Sequence, residues 1–252
     1  SPVPDTLAWD LWLGPAAKRD FYADYIPKKW RSFYDFGLGM LGDFGCHTLD
    51  TPVWALDLDA PTVVECLSRA DALPGVIPTH SHIRFHFPAK GERGPVALDW
   101  FDGPQDWTKV GRIDKFGAMD ATHLGRACWM VGSKGLLGCG THAGTPLILP
   151  DELRKEWHAN RPEETIPRVI GGSFREWLRA IKDEGPEPGS NFDYSTKLTE
   201  IILLGVIAQR FNTRIEWDAK ACKITNHPEL NLFVKEPVRE GWSYGEDLWK
   251  GA

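Results

Sequence analysis

No run of apolar residues in this chain approaches the length needed to cross a bilayer; even Ile201-Ile-Leu-Leu-Gly-Val-Ile-Ala208 stops at eight. That argues against a membrane partner. Clustered Lys and Arg are missing too. With a formal net charge of -6 and only short basic pairs such as Lys28-Lys29, read as solvated, no nucleic-acid partner is expected. The five cysteines (46, 66, 128, 139 and 222) are odd in number and show no C-x-x-C spacing, which argues against a disulfide framework or a zinc ribbon. They leave the compartment open. The N-terminus carries no basic-then-apolar targeting pattern, so any signal peptide or upstream domain is expected to have been removed or never included. No internal repeat and no low-complexity tract appears. Finally, no G-x-G-x-x-G follows a strand. The glycines that begin at Gly37 lack both a preceding strand and a ribose-binding acid downstream, so no dinucleotide-binding domain is expected here.

What is present reads as a soluble globular protein: 252 residues, 42% hydrophobic and 25% charged, enough for one large domain or two small ones. Twelve tryptophans and twelve phenylalanines are many for this length. Trp9, Trp12, Trp30, Trp100, Trp107 and Trp242 sit beside glycine, proline or charge, where flat aromatic surface can line a carbohydrate or cofactor site or bury itself in a core.

Residues 5–35 mix aromatics with Pro and Gly punctuation and short helical stretches, and read as an irregular arm. A helix is expected from about 43 to 57, kinked or broken near Pro52. Strands follow at 63–69, 79–87, 95–101, 126–132 and 135–141, rich in β-formers and spaced as neighbours in an antiparallel sheet, with a hairpin turn at Gly132-Ser-Lys-Gly135. After a charged, Pro-rich stretch over 150–168, Phe174, Trp177, Leu178 and Ile181 repeat with helical spacing. A helix over 193–211, capped by Asp193 or Ser195, and a strand over 214–217 lead into an irregular tail. Strands in the middle with helices on either side predict an α+β fold, built on a largely antiparallel open sheet with helices on one face.

The most informative local feature is Asp43 and His47, four residues apart behind the glycines at 37, 39 and 42. On a helix, positions i and i+4 share a face, so carboxylate and imidazole can address one substrate from one rigid element. Glycines before them permit tight backbone and close approach of a ligand. The plainer alternative has Asp43 capping the helix and His47 packing in the core. On the 79–87 strand, Ile83, Phe85 and Phe87 share one face while His80, His82, Arg84 and His86 share the other. Imidazoles two residues apart lie about 7 Å apart along a strand, and three could hold a metal with a neighbour's carboxylate, but a solvated or subunit-facing surface explains them equally well. No metal site is therefore assigned. Asp99 and Asp102 read as strand-end polar residues.

Taken in order, Trp9-Asp-Leu-Trp-Leu-Gly-Pro15, Trp30-Arg31, Gly39-x-x-Gly42-Asp43-Phe44-Gly45-Cys46-His47-x-x-Asp50, Trp54-Ala-Leu56, Leu98-x-Trp100-Phe-Asp-Gly103, Gly132-Ser-Lys-Gly135, Glu176-Trp177, Ser190-Asn-Phe-Asp-Tyr194, Leu204-Gly205, Trp217-Asp218 and Arg239-x-Gly-Trp242 give the chain a resemblance. It resembles the C-terminal domain of a Gfo/Idh/MocA-family oxidoreductase over nearly its whole length. The resemblance implies that residues 1–252 form a single substrate-binding and oligomerisation domain, with the arm at 1–35. A missing N-terminal Rossmann domain would bind NAD or NADP and carry the family's catalytic lysine. No cofactor is expected on this chain alone. One departure is Gly172-Ser173, where related sequences often carry a Gly-His pair.

The implied activity is NAD(P)-dependent oxidation of a sugar or polyol. His47 would be the general acid/base and Asp43 its partner or a hydroxyl acceptor, with Trp30, Arg31 and Trp12 as candidate substrate contacts and Asp50 as structural or catalytic. The isolated chain, lacking the cofactor domain, is expected to be inactive and to self-associate through its sheet. Three alternatives stand beside this reading: a glycoside-cleaving enzyme of the same family that regenerates its NAD, a non-catalytic binding or assembly module, and a metal-dependent hydrolase or isomerase built on His80, His82 and His86.

Overall fold

A computed structural model describes residues 2–103 and 126–243; Trp107 lies outside them. The chain divides into two compact units, one of Ser1–Gly45, Ala60–Pro104 and Ile202–Ala252, the other of Cys46–Asp59 and Gln105–Ile201. Helices α2 (Gly39–Thr48) and α6 (Phe192–Phe211) each run from one unit into the other.

The first unit is built on a five-stranded, wholly antiparallel sheet in the order β3-β2-β1-β7-β8. Its strands are β1 (Val63–Arg69), β2 (Ser81–Phe87), β3 (Val96–Asp102), β7 (Arg214–Asp218) and β8 (Lys223–Ile224). Alternation is strict on β2, where Ser81, Ile83, Phe85 and Phe87 are buried while His82, Arg84 and His86 are not. The buried face continues through Val64, Leu98, Trp100, Ile215 and Trp217. Two glycines let helices approach closely: a Cβ on Gly205 of α6 would sit 2.6 Å from the Phe85 ring, and one on Gly45 of α2 would sit 3.1 Å from Ile202. Larger residues at either place would push the helix off the layer beneath.

The arm is held by stacked rings. Helix α1 (Trp9–Leu13) brings Trp9 onto Trp12, with ring centroids 4.9 Å apart, and both pack around Tyr25. Arg239 crosses back from the far end of the chain, donating to the carbonyls of Asp10 (3.0 Å) and Gly14 (2.9 Å), and so satisfies the open end of this short helix.

In the second unit, β4 (Cys128–Val131), β5 (Leu136–Cys139) and β6 (Leu147–Leu149) form a separate antiparallel sheet. The Gly132 N–H donates to the Gly135 carbonyl at 2.9 Å, the expected hairpin turn. Helix α4 (Asp151–Ala159) packs along β6. Helix α5 (Gly172–Ile181) carries the anticipated apolar stripe, yet Phe174 is 81% exposed and Trp177 and Ile181 are each 61% exposed.

The α+β class and the antiparallel pairing agree with the sequence reading, whereas several details differ. The strands fall into two sheets rather than one, with β4, β5 and β6 paired among themselves, and β7 returns from beyond α6 to pair with β1. Helix α4 lies within the charged, Pro-rich stretch over 150–168, where no helix was expected, and strand β6 just before it was not anticipated either. The helix expected from about 43 begins at Gly39, and it gives way at Leu49 to α3 (Asp50–Ala55), which places Pro52 in a first turn where its missing N–H costs nothing. Asn191, not Asp193 or Ser195, caps α6: its Oδ1 accepts the Tyr194 N–H at 3.0 Å. Among the described residues, no helix is long and apolar enough to cross a membrane.

Candidate functional site

Helix α2 starts at Gly39, whose φ of +60° is open to glycine at little cost. Asp43 therefore lies in the second turn rather than at the cap, and His47 falls one turn later, near the helix end. His47 is exposed, so the core-packing alternative does not describe it.

Asp43 is brought together with Arg31 and Trp30. The Arg31 Nε–H donates to Asp43 Oδ2 at 3.0 Å, and the guanidinium carbon stands 4.4 Å from the centre of the Trp30 ring. Arg31 is carried by the 3₁₀ turn Lys29–Ser32, whose backbone lies so close to Gly37 that a Cβ there would sit 2.6 Å from the Arg31 Cα. Half-exposed as it is, the ion pair contributes little to stability, at most about 1 kcal/mol. Its effect is positional: it aims a fork of N–H donors beside an aromatic face. Trp12 is placed differently, against Trp9, Tyr25 and Phe36, with the Phe36 ring 4.8 Å away.

In the second unit, His47 is brought together with His142, a residue that the sequence reading missed. Their ring centroids are 5.0 Å apart and the planes are inclined by 47°. Asp50 is tied into the structure: Tyr194 Oη–H donates to its Oδ1 at 2.5 Å. Burial, the hydrogen bond to Asp50 and the charge of that carboxylate push the Tyr194 hydroxyl well above the ordinary phenol range.

The histidines of β2 are paired with carboxylates on the neighbouring strands. His82 Nε2 lies 2.6 Å from Asp99 Oδ1, and Arg84 grips the same carboxylate through Nε (2.8 Å) and Nη2 (3.1 Å). His86 Nε2 lies 2.7 Å from Glu65 Oε1. Burial alone would raise the Asp99 carboxyl, but the hydrogen bonds from His82 and Arg84 outweigh it and hold it below the usual range. Among the described residues no group of three or more His, Cys, Asp or Glu is arranged to hold a metal ion.

Asp102 belongs to a buried network and not to a strand end exposed to water. Ser81 Oγ–H donates to its Oδ1 (3.0 Å), and Gln209 Nε2 (3.2 Å) and Trp100 Nε1 (3.3 Å) donate to its Oδ2. Gln209 also donates to Ser81 Oγ (2.8 Å) and accepts from Tyr34 Oη–H (3.1 Å). Burial pushes the Tyr34 hydroxyl up to about 12. A lone Gln inside the apolar run of α6 was the sequence signal for this network.

The glycines at 37, 39 and 42 do have the spacing of a dinucleotide-binding loop, so their setting decides. The segment follows the 3₁₀ turn Lys29–Ser32 rather than a βαβ strand, and α2 leads through α3 into an antiparallel strand. A Cβ on Gly39 would sit 2.7 Å from the Ile77 side chain and one on Gly42 would sit 2.3 Å from Leu38. These contacts exclude a side chain at Gly39 and Gly42, and with no βαβ strand ahead of it the segment lacks the setting of a pyrophosphate-binding loop.

Residues 1–89 match a family model described as the oxidoreductase family, C-terminal alpha/beta domain, of the Gfo/Idh/MocA type. Over these residues the chain is similar to the C-terminal domain of a Gfo/Idh/MocA oxidoreductase. The match contains the arm, α1 to α3, β1 and β2, and with them Trp12, Trp30, Arg31, Asp43 and His47. No curated protein matches the chain.

Proposed function

We infer that this chain is the substrate side of an NAD(P)-dependent oxidoreductase acting on a sugar or polyol. The observation that carries the reading is His47, exposed one helical turn beyond Asp43 on α2, inside the segment that matches the oxidoreductase family. Oxidising an alcohol requires the hydroxyl proton to go to a base that is neutral near physiological pH. An imidazole, with an unperturbed pKa of about 6.5, suits that role. Asp43 accepts the Arg31 Nε–H at Oδ2 and so holds Arg31, whose remaining N–H groups can donate to substrate hydroxyls while Trp30 offers an apolar ring face. A hydride acceptor is what NAD(P) supplies. In this reading the cofactor is held by a separate domain, as the absence of a strand before the glycines supports, and the work of this chain is to bind and orient the alcohol and to take its proton.

The same reading has copies of the domain associate through the outer face of the first sheet, where Phe101 stacks on His82 with centroids 4.1 Å apart. A strictly monomeric species in sedimentation velocity would remove that part.

The test is turnover by the full-length enzyme with NAD+ or NADP+ and a panel of polyols, hexoses and glycosides. Net NAD(P)H together with a ketone product supports the dehydrogenase. Sugar release without net reduction would replace it by the glycoside-cleaving alternative, and absence of both would leave a binding module.

A further inference from the structure

His142 is held on a turn that has little freedom. Strand β5 leads into it and β6 leaves it, with Cys139 and Leu147 buried at its two ends. The Ala143 N–H donates to the Gly140 carbonyl (3.0 Å) and the Gly140 N–H to the Gly144 carbonyl (2.9 Å). Arg126 clamps the far side, its Nη1 donating to the Thr145 carbonyl and to Thr145 Oγ1 (3.1 Å). Within this turn Ala143 and Thr145 adopt φ values of +57° and +49°, a region that residues with side chains seldom enter. Such backbone strain persists where surrounding bonds over-determine it, and it concentrates at functional sites.

What the turn presents is an exposed imidazole 5.0 Å from that of His47. Two exposed rings side by side bury little surface, so apolar burial does not explain the pairing. A neutral imidazole carries one donor and one acceptor, and two at this spacing can engage two oxygens on neighbouring carbons. No third ligand joins them among the described residues to make a metal centre.

We propose that His142 is a second working imidazole beside His47, binding the hydroxyl adjacent to the one that His47 deprotonates, so that the pair selects a vicinal diol. This rests on the polyol reading above. The test uses the ¹⁵N-labelled chain, following imidazole resonances of both histidines during addition of myo-inositol, sorbitol or glucose, with cyclohexanol as a single-hydroxyl comparison. Both imidazoles shift along one saturation curve with a diol-bearing ligand, and His142 stays unmoved with cyclohexanol. His142→Phe, which keeps a ring without nitrogen, weakens binding by about threefold to tenfold, the range for one lost hydrogen bond. His142→Gln, which keeps a donor and an acceptor, restores most of it. A His47 shift with His142 unmoved, or wild-type affinity in a folded His142→Phe, overturns the proposal while leaving the polyol reading intact. If neither imidazole responds to any of the three polyols, the polyol reading falls and this proposal with it.

Discussion

Replacing Gln209 by Met should cost far more than its conservative shape suggests. The side chain is 0% exposed and makes three hydrogen bonds: one accepted from Tyr34, one donated to Ser81 and one to the Asp102 carboxylate. Methionine fills nearly the same volume, so no cavity term enters. What is lost is polar. A buried hydroxyl left without its acceptor costs about 1–3 kcal/mol, and a bond to a charged acceptor is worth about 1.5–3 kcal/mol. Ser81 keeps its own donation to Asp102, and the indole of Trp100 still donates to that carboxylate, so the anion is not stripped. Allowing about 1 kcal/mol returned by the more apolar side chain, the net loss is roughly 3 kcal/mol. Urea unfolding followed by tryptophan fluorescence would measure it. A second substitution, Tyr34→Phe on the Gln209→Met background, removes the stranded hydroxyl and should recover about 1 kcal/mol or more. A loss under about 1 kcal/mol, or no recovery in the double variant, would refute the reasoning.

The hydroxyl of Tyr194 ties α6 to Asp50, and Tyr194→Phe should lower stability by about 1 kcal/mol at neutral pH. Because the folded-state pKa is raised above the ordinary 10.0, that contribution is fully present below pH 10 and is lost as pH rises through the folded value. Wild type and variant unfolding curves should therefore converge in strong alkali; a gap that stays constant would contradict the link. On α5, a Phe174→Ser, Trp177→Ser pair should leave the melting temperature nearly unchanged, since both rings are already in water. A large fall in melting temperature would show that they are buried.

The strands were legible wherever one face is buried and the other wet. On β2 the alternation of Ile83, Phe85 and Phe87 with His82, Arg84 and His86 gives both the strand and its inner face. Partner choice was not legible, because nothing in 214–218 says that this strand returns to pair with β1. Helix α4 escaped notice since it buries no residue and has no continuous apolar stripe, and Pro150 before it reads as loop chemistry. The start of α2 was hidden by its glycines, poor helix formers kept because the chain packs against them. Of the candidate site, the Asp43 to His47 spacing stood in plain view. The Arg31 to Asp43 bond could be suspected from nearby charges, but His142 lies 95 positions from His47, and only folding brings the two rings together.

The most direct measurement is steady-state turnover of the full-length enzyme carrying His47→Ala, with the substrate that its polyol screen identifies. If the imidazole takes the hydroxyl proton, kcat falls by about a hundredfold or more while substrate affinity changes little. A variant that turns over at the wild-type rate would contradict the account.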